Sequence, residues 1–257
     1  MSVPHALELL AIGFAASIFG SLIGLGGGFV VIPVMRLAFN TPPALLAGTS
    51  LVFVFANTGA AAIGYIRQKR VDFALAIPLI AGAIPGSVFG AIAVHGFSPT
   101  GFDLAYGTTL VLLAVLVLWR RSGNERTPFE KTFAHRWPVA IAAGVLVGTF
   151  SSLFGIGAGL VLVPLLLVAA RMPPHIVAAT SGFTILCTSP VGILAQALTH
   201  DIDWVSAVPL VAGGIAGGSI APAIARRVSS RRLITLLAGG LTFAAIALVA
   251  KHLVRGG

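Results

Sequence analysis

Polar positions in this chain do not alternate with apolar ones; they gather at intervals and leave long apolar runs between them. Asp, Glu, Lys and Arg are missing from residues 9–35, 44–66, 73–94, 104–119, 138–170, 175–200, 204–225 and 233–250. About 20 apolar residues in a helix suffice to cross the hydrocarbon core of a bilayer. Because the runs are continuously apolar, and not built of alternating ten-residue segments, they predict helices and not a barrel. Two runs are too long for one crossing: 138–170 would extend about 50 Å as one helix. It carries Gly155-Ile156-Gly157-Ala158-Gly159 in its middle, and run 9–35 carries Gly24-Leu25-Gly26-Gly27-Gly28 in the same place. Each predicts two short helices joined by a glycine-rich break, so the eight blocks correspond to eight to ten membrane segments. The expected fold class is an all-α polytopic membrane protein.

Composition sharpens this picture. The 257 residues are 57% hydrophobic and only 9% charged, where soluble domains carry about 25% charged residues. A water-soluble globule is excluded. The formal charge of +9 sits in short clusters between the apolar runs, which assigns it to membrane loops and not to a nucleic-acid surface. The single cysteine, Cys187, excludes a disulfide framework and reads as a small packing residue. Residues 1–21 lack a basic leader and read as the first membrane segment, not a cleaved signal peptide.

The chain also repeats itself. At an offset of 131, Phe19 to Gly26 aligns with Phe150 to Gly157, and the register persists without a gap. Pro33 falls on Pro164, Pro42-Pro43 on Pro173-Pro174, Thr49-Ser50 on Thr180-Ser181, Asp72 on Asp203, and Gly82 and Gly86 on Gly213 and Gly217. Across 19–86 against 150–217, 22 of 68 positions are identical. The expected organisation is a first membrane repeat at 1–119, a basic cytoplasmic linker at 120–137, and a second repeat at 138–257.

Equivalent loops of the two halves differ in charge: Arg67-Gln68-Lys69-Arg70 falls on Leu198-Thr199-His200-Asp201, whereas His95 to Ser98 falls on Arg226 to Ser229. Basic loops prefer the cytoplasm, so this antisymmetry suggests halves inserted upside down relative to one another. If each broken run crossed once, giving eight helices and parallel halves, 10 basic residues would oppose 6. If each goes in and returns, 13 share one side and only Arg36, Lys251 and Arg255 oppose them. The second count favours inverted-topology repeats with glycine-broken helical hairpins and both termini outside.

In such a repeat, broken helices from the two halves meet near the midplane around a cavity. A helix restarting after a break presents unpaired amides and a positive dipole end, which bind an anion without a buried Lys or Arg. The candidate substrate-binding residues are therefore Gly24, Gly26, Gly27 and Gly28 with Gly155, Gly157, Ala158 and Gly159. Ser21 and Ser152 precede the breaks, and Thr49, Ser50, Thr180 and Ser181 recur at mid-span as hydroxyl donors. The competing reading is that the glycines only permit close helix packing. Their duplication together with Pro33 and Pro164 favours a site, whereas the Thr-Ser pairs are as readily bonded back to their own helices.

The paired GLGGG and GIGAG segments, each followed by a Val/Ile-Pro and a later Thr-Ser pair, resemble the TauE/SafE sulfite exporter family, also called the DUF81 permeases. The resemblance covers nearly the whole chain. It implies export, in some members import, of sulfite, sulfonates or related organic anions across the bacterial inner membrane, and leaves the particular ion open. Ala158 departs from Gly27 of the first motif, so the half-sites need not contribute equally.

Asp72 and Asp203, each before an apolar run, read as helix N-caps and not as proton couplers. Glu8 reads as interfacial. Trp119, Trp137 and Trp204 stand at run edges as interface anchors. His5, His95, His135, His175 and His200 lie at run ends or in loops without metal-ligand spacing, so no metal or cofactor is expected. Ser181 with His252 faintly suggests an intramembrane protease, but Thr49-Ser50 repeats the serine motif with no matching histidine. The expected function is a secondary transporter, not an enzyme, working by alternating access on a small anionic substrate. An anion channel of the same fold is the alternative. The other expected partner is the lipid bilayer, nucleic acid is excluded, and a homo-oligomer is left open.

Overall fold

The computed structural model of the chain describes residues 3–39, 41–121, 137–168 and 172–255. Ten α-helices are found among the described residues, five before the linker and five after it. The first five are α1 (Val3–Ile23), α2 (Gly28–Ala38), α3 (Pro43–Arg67), α4 (Phe73–Ala93) and α5 (Pro99–Arg121). The second five are α6 (Trp137–Phe154), α7 (Gly159–Val168), α8 (Pro174–Leu198), α9 (Trp204–Ala225) and α10 (Ser230–Arg255). Among the described residues, seven helices are long and apolar enough to cross a bilayer: α1, α3, α4, α5, α6, α8 and α9. Large apolar side chains such as Phe89, Ile92, Leu112, Leu146 and Leu194 point outward from them, as lipid contact requires. The expected basic linker lies almost wholly outside the described residues, as do Arg126, Lys131, Arg136, His135 and Arg171.

Each broken run is two helices, but they are unequal. The first arm is 21 or 18 residues long and the second only 11 or 10, so the sequence expectation of two short helices is corrected to one full-length arm and one half-length arm. Helix α1 ends in a Schellman-type cap, in which Gly24 turns left-handed at φ 80° and the Leu25 amide donates to Gly20 O at 2.8 Å. Gly155 ends α6 the same way at φ 68°, with the Ile156 amide donating to Ser151 O at 3.2 Å. The chain then doubles back: Gly20 and Gly27 stand backbone to backbone.

Interhelix contacts fix the relative directions. Gly48, near the start of α3, packs on the Asp201 carbonyl just past the end of α8. Arg70, just past the end of α3, lies 3.4 Å from His175 at the start of α8. The sequence-matched helices α3 and α8 therefore run in opposite directions. Helix α1 pairs instead with α9, through Gly213 on Leu10 O and Gly217 on Phe14 O, and α4 pairs with α6 through Gly82, Gly86 and Gly90 on the carbonyls of Ile141, Val145 and Thr149. Residue numbers rise together in both pairs, so each is parallel and joins one half to the other. These glycine stripes let the backbones approach as closely as small-residue faces do in membranes.

The same contacts sort the loops. Gln68 donates to Pro222 O at 3.1 Å, which brings the turn after α3 and the turn after α9 to one end of the bundle with Arg67, Lys69, Arg70, Arg226 and Arg227. At the other end His95 Nε2 meets Asp201 Oδ2 at 2.8 Å. Arg36, read from sequence as a loop charge, is instead buried at the tip of α2. Its Nε donates to Asp103 Oδ1 at 2.8 Å and one terminal nitrogen to Thr41 O at 2.8 Å, pinning α2 to α5. Leu167 and Ile234 occupy the matched positions in the second half, so that anchor has no counterpart there. Single cysteines replacing Lys69 and Arg227 will react with a membrane-impermeant maleimide from one side, and one replacing His95 from the other. Labelling of Lys69→Cys and Arg227→Cys from opposite sides would contradict this arrangement.

Candidate functional site

The two breaks lie against each other at the middle of the bundle. A Cβ built on Gly28 would come within 2.8 Å of Ile156 Cα, and one on Gly159 within 2.7 Å of Leu25 Cα. Val54 and Ile185, matched residues at the centres of the 25-residue helices α3 and α8, touch both breaks. A Cβ on Gly26 would sit 2.9 Å from Val54 and 3.5 Å from Ile185; on Gly157 the distances are 2.7 and 3.0 Å. Every candidate residue from Ser21 to Gly28 and from Ser152 to Gly159 is buried. The sequence predicts that these breaks border a cavity; in the structure they are instead packed shut by Val54, Ile185 and each other. A small hollow of about 10 Å³, room for one water, lies elsewhere, among Leu22, Ile23, Val163, Leu167, Leu233 and Leu237.

Although closed, the breaks keep main-chain donors free. Among the described residues the amides of Gly26, Gly27 and Gly28, and those of Gly157, Ala158 and Gly159, find no hydrogen-bond acceptor. The α2 and α7 dipoles start at the same points. The two breaks differ in backbone: Gly27 is left-handed at φ 82°, whereas Ala158 has no positive φ, which explains why an alanine is accommodated there.

The hydroxyls divide into groups. Thr49 and Thr180 reach across the halves, where Thr49 Oγ1 accepts from the Asp203 amide at 2.9 Å and Thr180 Oγ1 from the Asp72 amide at 3.0 Å. Asp72 and Asp203 themselves cap α4 and α9, accepting from Leu75 N and from Val205 N and Ser206 N. Ser181 Oγ donates to Gly24 O, while the matched Ser50 Oγ, fully buried, has no partner among the described residues. Ser21 Oγ donates to Asn57 Oδ1 at 2.8 Å, and Asn57 Nδ2 donates to Gly26 O at 2.8 Å, so Ser21 is a structural clamp and not a free donor. Tyr65 Oη completes that clamp on Ser21 O at 2.8 Å.

Asn57, Tyr65 and Gln196 are not among the residues that the sequence singles out. Their signal there is an isolated polar side chain inside an apolar run, at matched or neighbouring repeat positions. Glu8 is exposed beside His5, and Trp137 and Trp204 are exposed, in keeping with interfacial positions.

A bundle of apolar helices with two broken helices meeting at its centre, and with lipid-facing side chains around it, defines a multi-pass membrane protein of transporter type. The chain belongs to the sulfite exporter TauE/SafE family, whose sequence model matches residues 9–248. It is 28% identical to the probable membrane transporter protein YunE of Bacillus subtilis over 250 residues, covering 89% of this chain and 92% of that protein. A probable membrane transporter protein of Xylella fastidiosa is 27% identical over 241 residues, covering 92% and 90% of the two chains. One from Methanocaldococcus jannaschii is 27% identical over 201 residues, covering 76% and 73%. No solved structure matches the chain.

Replacing Asn57 by Leu strands the Ser21 hydroxyl and the Gly26 carbonyl in the core, at about 1–3 kcal/mol for each orphaned group. Thr188→Val, at the matched position, loses only bonds to its own helix and will cost under about 1 kcal/mol. Thermal unfolding of the two purified variants checks this ordering.

Proposed function

We propose that the protein is a secondary transporter, working as an exporter, for small sulfur-containing or organic anions such as sulfite or sulfonates. The observation that carries this reading is the meeting of two helix breaks at mid-depth, with acceptor-free amides in each, and with the unpartnered Ser50 hydroxyl one turn along α3 from Ala47, whose backbone packs on Gly155. An anion there is held by main-chain donors and two positive helix ends, which suits a compact oxyanion with several acceptor oxygens. The family membership and the sulfur chemistry in the family's description support the substrate class.

In this reading residues 1–119 and 138–257 are inverted repeats joined by a cytoplasmic linker, and the basic end faces the cytoplasm of a bacterial inner membrane. The closed breaks are then one stage of alternating access. Val54 and Ile185 are the plug that seals the midplane, and α1 with α9, and α4 with α6, move as parallel pairs. A plug of two aliphatic side chains is cheap to displace when the halves shift, and it blocks leakage when they do not.

Reconstituted vesicles test this directly with a panel of sulfite, sulfate, thiosulfate, sulfonates and carboxylates. A saturable flux of one or more sulfur oxyanions, with counterflow, is expected. Val54→Trp will cut that flux at least about tenfold by overfilling the midplane, while Val54→Ala with Ile185→Ala will raise uncoupled leak. Unsaturable conductance would identify a channel, and unchanged flux in Val54→Trp would remove the midplane breaks as the route.

A further inference from the structure

The repeat is broken at one polar cluster. In the first half the carboxamide of Asn57 stands between the Ser21 hydroxyl and the Gly26 carbonyl, bonding both at 2.8 Å. The matched residues of the second half are Thr188, Ser152 and Gly157. Thr188 is shorter and turns to its own helix, donating to Thr184 O at 2.9 Å. Nothing among the described residues replaces the carboxamide: Ser152 Oγ is buried and unpartnered, and Gly157 O receives no donor.

A second exchange adds to the first. Tyr65, whose hydroxyl donates to Ser21 O, becomes Gln196, whose Nε2 donates to Ser152 O at 3.3 Å. That bond fixes the orientation of the carboxamide, because turning it over would face oxygen to oxygen. The free end is therefore Oε1, which is fully buried and without a partner. Gly192 stands where the first half has Ala61, and the Ser152 hydroxyl fills the space, 2.5 Å from where a Cβ would be. Ser152 Oγ packs on Gly192, one turn before Gln196, and Gly157 O matches the Gly26 carbonyl that Asn57 bonds, so three buried oxygens of the second half, Ser152 Oγ, Gln196 Oε1 and Gly157 O, lack the donors that the first half supplies. The cluster lies at the C-terminal end of α6, where the helix dipole is negative.

We propose that this oxygen cluster is a binding site for a small monovalent cation of the sodium class, seated where Asn57 Nδ2 sits in the first half. Hard cations take neutral carbonyl and hydroxyl oxygens, and a helix C-terminus supplies the negative potential that an all-neutral donor set lacks. The cation sits on the end of α6 while the anion donors lie at the start of α7, so the break between them feels both charges. Its role as a coupling ion rests on the transport reading above; the site itself does not.

The test needs no transported substrate. Thermal unfolding of the purified full chain is followed in sodium chloride and in N-methylglucamine chloride at equal chloride concentration. Sodium is expected to raise the midpoint by a few degrees, saturably, as a ligand of the folded state does. Ser152→Ala and Gln196→Leu should abolish the shift, and Gln196→Glu should lower the half-saturating sodium concentration about tenfold. Ser219→Ala, on the outer surface of α9, should leave it intact. No sodium-dependent shift in the wild-type chain, which would mean that water alone fills the cluster, overturns the proposal. So does a shift that survives in both Ser152→Ala and Gln196→Leu. If sodium stabilises the protein but no anion flux is found in vesicles, the cation site stands and the transport reading falls.

Discussion

Irregular backbone cannot face lipid, because an unpaired amide or carbonyl there costs several kcal/mol. That constraint organises this protein. The two glycine breaks are shielded by each other and by the centres of α3 and α8, with Gly28 on Ile156, Gly159 on Leu25, and Val54 and Ile185 across both. Each half supplies part of the cover over the other's break. The long glycine stripes that pair α1 with α9 and α4 with α6 serve the same end, since they draw the halves close enough for the breaks to meet.

The interlocked halves are alike in plan and unlike in polar detail. Thr49 and Thr180 exchange bonds with Asp203 and Asp72 across the interface almost symmetrically. Around the breaks the symmetry fails: Ser181 is bonded and Ser50 is not, and Asn57 clamps one break while Thr188 leaves the other unclamped. Arg36 and Asp103 anchor α2, whereas apolar Leu167 and Ile234 stand at the matched positions. The first break is thus the more firmly tied. The polar asymmetry gives the midplane one firmly tied break and one more loosely tied break.

Much of this was legible in the sequence. The helical class followed from run length, the breaks from Gly24–Gly28 and Gly155–Gly159, and the capping roles of Asp72 and Asp203 from their place before apolar runs. The charge count favours an in-and-return path for each broken run, and the Gln68 bond to Pro222 O brings the turns after α3 and α9 to one end of the bundle. What the sequence could not carry was distance across the fold. Whether a glycine break opens on space or on a neighbour depends on Val54 and Ile185, which look like any other apolar residue in a run. The buried pairing of Arg36 was equally hidden, since a charge at a run edge reads as a loop charge until Asp103 is placed beside it. Asn57 and Gln196 were visible as polar interruptions, but their partners, 31 and 44 residues away, were not.

Binding of anions to main-chain amides at both breaks, as proposed, is read from the amide chemical shifts of glycine-labelled protein titrated with sulfite in nanodiscs. Gly26, Gly28, Gly157 and Gly159 will shift together and saturate at one concentration. Sulfite transport by the same preparation with those four amides unmoved would contradict it.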